Sequence, residues 1–70
     1  MKTLELSKEI YSLSSIEETI RVFKHLGTIT KIETRYLWKL VFRKCRYDEL
    51  RTVYEFENYL IGLENQNGHH

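Results

Sequence analysis

The residues able to do chemistry in this chain are few, and Cys45 comes first. It stands in Arg43-Lys44-Cys45-Arg46, where neighbouring cations favour the nucleophilic thiolate. A thiol enzyme also needs a positioned base. His25 falls on the polar side of a helical stretch, and nothing in the sequence brings it to Cys45. A thiol-dependent activity is therefore one reading, and a small residue between a strand end and a helix start is the other. The cations themselves suggest phosphate contact. Arg35, Lys39, Arg43 and Arg46 would carry a nucleic-acid-binding module. Against it, Trp38 and Phe42 point away from the face holding Arg35, Lys39 and Arg43. Ten Asp and Glu also balance eleven Lys and Arg, which leaves a net charge of +1 and no steering field. Glu55 and Glu57 project about 200° apart on a helix and cannot work as a paired acid and base. No metal-ligand spacing and no Gly-rich phosphate loop is present. His69 and His70 are only a bare pair at a polar end. No catalytic residue, metal or cofactor is expected, and a domain this small seldom encloses a ligand pocket.

One carboxylate is out of place. Laid out as a helix, Tyr47 to Leu63 carries an apolar arc of roughly 240°, far beyond the stripe of about 100° that a surface helix needs. Glu57 points out of the middle of that arc. Buried without a partner it would be costly. Either it lies at a seam beside a cation such as Lys39 or Arg43, or beside water, or the flank meets another chain. The predicted partner-binding strip is Tyr47, Tyr54, Glu57, Asn58 and Ile61, with tyrosines offering one apolar face and one wet end.

These residues depend on elements that the pattern predicts. Lys2 to Ser7 alternates, with Leu4 and Leu6 on one face, and reads as a strand. A helix is predicted from about Ile16 to Leu26, capped by Ser14 with Glu17 or Ser15 with Glu18, supported by Glu17 and Arg21 four apart, and stopped by a left-handed Gly27. Thr28 to Thr34 is rich in β-branched residues. Tyr36 to Arg43 alternates, with Tyr36, Trp38, Leu40 and Phe42 facing the core. The short link at Glu33-Thr34-Arg35 predicts a hairpin whose register stays open, since Ile29 or Ile32 could face inward. The predicted fold is α+β: a compact βαββα domain over residues 1–64, with both helices on one face of a three-stranded sheet. It resembles a ferredoxin-like unit lacking its last strand, and its sheet edge must be capped, charged or used. If the first helix links strands of one sheet, the crossover rule makes the first strand parallel to its neighbour. Residues 65–70 are expected to form a disordered polar tail. The single cysteine, the absence of an apolar leader and the absence of a long apolar run point to a cytoplasmic protein away from membranes.

Three stretches together resemble the HxsD-like proteins of His-Xaa-Ser systems. They are Leu4-Glu5-Leu6-Ser7-Lys8-Glu9-Ile10-Tyr11-Ser12 running into Ile16, the hairpin with its aromatic second strand, and Glu55-Phe56-Glu57-Asn58-Tyr59-Leu60. The resemblance spans most of residues 4–64 and matches at Ile10, Tyr11, Glu55, Phe56, Asn58 and Leu60. The family-like run tends to be apolar where this chain has Glu57. The resemblance implies a small non-catalytic accessory protein beside a radical-SAM enzyme thought to modify a ribosomally made peptide. The expected partner is a protein or peptide, docked at the open strand edge or the last helix; a second copy could use the same surfaces.

Overall fold

The computed structural model describes residues 1–68. Its elements are β1 (Lys2–Ser7), α1 (Leu13–Phe23), a 3-10 turn (Lys24–Leu26), β2 (Thr28–Glu33), β3 (Leu37–Arg43) and α2 (Glu49–Gly68). The chain is thus α+β in the order βαββα, as the pattern predicts. The strands form one antiparallel sheet ordered β1-β3-β2. β3 is inserted between β1 and β2, so the neighbour of β1 is antiparallel to it, contrary to the crossover expectation. β1 and β2 run the same way but do not touch.

Pairing settles the register. Ile29 stands opposite Phe42 and faces the core, while Ile32 stands opposite Lys39 and faces out. Leu6, Ile16, Leu40, Phe42, Phe56 and Leu60 are fully buried between sheet and helices. Phe56 meets Phe42 and Phe23 edge-on, with ring centroids at 5.2 and 5.4 Å. Of the aromatic row, Leu40 and Phe42 are buried and Trp38 is half-buried, but Tyr36 lies in the hairpin turn at 69% exposure. Trp38 is flanked by Lys8 and Lys31, 5.0 and 5.1 Å from its ring centre. These lysines are held by Glu33 and Glu17, so Glu17 serves the sheet rather than pairing with Arg21. On the outer face Val41 is only 5% exposed, because Thr3 and Thr30 flank it on both neighbouring strands.

Two helix boundaries differ from the predicted ones. α1 is capped by Ser12, whose hydroxyl accepts from the Ser15 amide at 3.3 Å, not by Ser14 or Ser15. Ser12 also donates its amide and its hydroxyl to Glu64, each at 2.8 Å, so a contact from α2 selects among three serines. Gly27 is extended, with φ 170°, and is no left-handed stop. It is needed for close approach instead: a Cβ there would lie 3.1 Å from the Cys45 Cα and 3.2 Å from the Arg43 carbonyl oxygen. α2 begins after Asp48, which accepts from the Arg51 amide, and continues to Gly68. Residues 65–68, expected in a disordered tail, are therefore helical, since adding residues to a formed helix is far easier than starting one. His69 and His70 lie outside the described residues.

The Ser12–Glu64 clasp gives an acid-sensitive step. Burial pushes the Glu64 carboxyl up, but the Ser12 amide and hydroxyl, with the Ser15 hydroxyl, more than offset this and hold it below its ordinary value. A lowered folded value means the stabilisation is present above the unfolded value, near about 4.3. It is lost as pH falls through the lower folded value. Glu64→Gln should remove that part of the acid loss, read as a shallower fall in urea midpoint below pH 5. An unchanged fall would contradict the clasp. Ser12→Ala, which removes the cap as well, should cost about 1–2 kcal/mol at neutral pH.

Candidate functional site

The sheet has two open edges, and they differ. β1 shows its free side by the pattern of its bonds. The Lys8 amide donates to the Tyr36 carbonyl, extending the β1–β3 register by one pair. In an antiparallel ladder alternate residues bond to alternate sides. Lys2, Leu4 and Leu6 therefore bond to β3, and Thr3, Glu5 and Ser7 turn their backbone groups to the open edge. The Ser7 carbonyl accepts from the Ile10 and Tyr11 amides. What remains is a row formed by the N–H and C=O groups of Thr3 and Glu5 and the N–H of Ser7.

α2 lies along this edge. It is tied to the start of β1 by the Met1 amino group and Glu49 at 2.9 Å, and beyond the end of β1 by Glu64 on Ser12. One side of α2 turns to α1, where Tyr59 meets the Phe23 ring edge-on at 6.0 Å. Leu50, Glu57 and Ile61 project within about 40° of one another on the opposite side. There Leu50 is 47% exposed, Ile61 40% and, next to them, Tyr54 59%. Glu57 is half-buried and takes part in none of the ion pairs among the described residues. Lys39 and Arg43 cannot be its seam partners, because in the register they share the outer face with Val41.

The predicted strip is therefore brought together in part. Tyr54, Glu57 and Ile61 share the flank beside β1. Asn58 instead lines a shallow groove with Glu18, Tyr59, Gly62 and Leu63, between the helices. Tyr47 stands in the β3–α2 connection before the helix begins, and Leu50 occupies the corresponding place on α2. The second edge, β2, has a different flank. Glu17, Ile20, Arg21, Ile29 and Lys31 line the groove between it and α1, and Lys31 and Glu17 satisfy each other at 2.6 Å.

The cations form no single patch. Arg35 lies in the hairpin turn over the Tyr36 ring, and Arg46 lies past the other end of β3, its amide donating to the Leu26 carbonyl. Seven residues of β3 separate those regions, about 20 Å of strand. Between them Lys39 is flanked by Glu5 and Ile32, and Arg43 donates to the Met1 sulfur.

Cys45 lies between the end of β3 and the start of α2. Burial raises its pKa, and the Glu49 carboxylate raises it further; the N-terminal amino group and the Thr52 hydroxyl lower it without offsetting this. Burial, and then a carboxylate from α2, hold the thiol above its ordinary value despite the cations beside it in the sequence. Iodoacetamide should alkylate Cys45 of the folded protein at pH 7.5 more slowly than the same thiol in urea; faster reaction when folded would contradict this.

Among the described residues no helix is long and apolar enough to cross a membrane, and no three His, Cys, Asp or Glu are grouped to hold a metal ion. Comparison with family models, curated proteins and solved structures gives no match for the chain.

Proposed function

We propose that this chain is a non-catalytic module that binds a protein or peptide by adding an extended segment as a fourth strand to the β1 edge, beside the α2 flank. The observation that carries this reading is the coincidence of two unsatisfied surfaces. The unpaired backbone row of Thr3, Glu5 and Ser7 runs beside the exposed apolar flank of α2. Backbone bonds would supply much of the affinity and the flank the selectivity, the usual division of labour in strand addition. The likeness to HxsD-like proteins supports an accessory role in which the strand belongs to a ribosomally made peptide or to its radical-SAM maturase.

Glu5→Pro tests the docking mode. The proline removes an N–H that points to the open edge and leaves the β1–β3 ladder whole, a place where strands tolerate proline. A seven-residue blocked peptide alternating threonine and valine, titrated into the wild type, should shift the Thr3, Glu5 and Ser7 amide resonances saturably. The Glu5→Pro protein should keep the dispersed spectrum of the fold and lose the response. Binding that survives in Glu5→Pro would overturn the edge as the site.

A further inference from the structure

The proposed docking mode leaves open what kind of segment fits, and the geometry of the slot constrains it. From the structure we infer that the partner strand presents a basic residue at the centre of its inward-facing set, between apolar inward neighbours, and that Glu57 is its counter-charge. This rests on the strand-addition reading above.

The Met1–Glu49 pair fixes where α2 starts against β1. Glu57 lies eight residues further on, about 12 Å along the helix. At about 3.3 Å per residue that is level with the Leu4–Glu5 stretch, the middle of β1. Leu50 lies near one end of the slot and Ile61 toward the other. Successive inward residues of an added strand recur about every 7 Å, so a central one comes under Glu57 and its neighbours under apolar surface. Glu57 is half-buried and has no ion-pair partner among the described residues, while its neighbours Glu49, Glu55 and Glu64 are each engaged. A carboxylate held so, in an apolar flank, favours a cation and penalises a second carboxylate.

The test uses two blocked heptapeptides of alternating threonine and inward-facing residues. The inward set is valine, lysine, valine in one and valine, glutamate, valine in the other. With the wild-type protein the lysine peptide should bind about tenfold more tightly, as one partly buried charge pair would give, and it should shift the Thr3, Glu5 and Ser7 amides. Glu57→Gln should erase the preference and Glu57→Lys should reverse it. Equal affinities, with those amides still shifting, would overturn the inference and leave the docking mode standing. No shift from either peptide at millimolar concentration would take the docking mode down as well. A solution mass twice that of the 8.5 kDa chain, returning to the monomer in Glu5→Pro, would show a second copy on the edge and overturn both.

Discussion

Phe56→Ala is expected to lose about 3–5 kcal/mol of folding free energy, the range for emptying a buried aromatic site. Phe56 is fully buried and is the ring that touches both layers, edge-on to Phe42 of the sheet and to Phe23 of α1. Removing it leaves a void bordered by three elements, so none can close the gap without parting from another. A chain of this length has roughly 4–10 kcal/mol in all, so the variant should be largely unfolded near 37 °C. Urea unfolding followed by Trp38 fluorescence measures it. Phe56→Leu should recover more than half of the loss, because most of the volume returns and only the ring contacts, worth about 1 kcal/mol each, do not. A loss below about 1.5 kcal/mol for the alanine variant would mean that the layers are not joined through this ring.

Gly27→Val should be the second most damaging change, at about 2–3 kcal/mol, by overpacking rather than by backbone strain. At φ 170° any residue fits the backbone. The obstacle is space: two of the three atoms that a Cβ meets are backbone atoms of Arg43 and Cys45, and the Arg46 amide bonded to the Leu26 carbonyl at 2.7 Å holds that strand end in place. Gly27→Ala should cost less, since alanine also regains about 0.4–1 kcal/mol by restricting the unfolded chain. The graded order, glycine above alanine above valine, is the signature of crowding. A left-handed glycine would instead make both variants costly to a similar degree. Cys45→Ala should rescue little, because the thiol is only the third contact.

Both sites show how far the sequence could be read. Alternation marks β1 and β3, β-branched content marks β2, and the aromatic spacing marks Leu40 and Phe42 as core. Those signals are local: each strand must bury one face, and the pleat makes that a period of two. The failures lie where a distant residue decides. Ser12, Ser14 and Ser15 are equivalent caps by type, and Glu64, fifty-two residues on, selects Ser12. Gly27 follows the 3-10 turn rather than ending α1, and its reason is Cys45, eighteen residues away. Val41 alternates outward and is buried all the same, by threonines on two neighbouring strands. The site follows the same rule. The wheel of the last helix put Tyr54, Glu57 and Ile61 on one flank, because helical geometry is local. Which flank faces α1 is set by packing, which separates Asn58 from that flank and adds Leu50 to it. The wheel also does not show that β3 inserts between β1 and β2, which puts β1 at an edge and lets α2 run along it.

The same insertion explains why Lys39 and Arg43 do not reach Glu57. Its proposed partners Lys39 and Arg43 sit on the central strand with their side chains on the far face, and the sheet itself stands between. Glu57 is half-buried on the side of α2 opposite Tyr59.

Amide hydrogen exchange along β1 tests the account most directly. In the free protein the Leu4 and Leu6 amides, bonded to β3, should exchange slowly, and the Thr3, Glu5 and Ser7 amides, directed to the open edge, should exchange fast. Saturation with the lysine heptapeptide should slow the second set by about tenfold or more, as new backbone bonds form, and leave the first set nearly unchanged. Protection of Thr3, Glu5 and Ser7 already present in the free protein would contradict an open edge. Saturable binding that leaves those three amides fast would contradict strand addition.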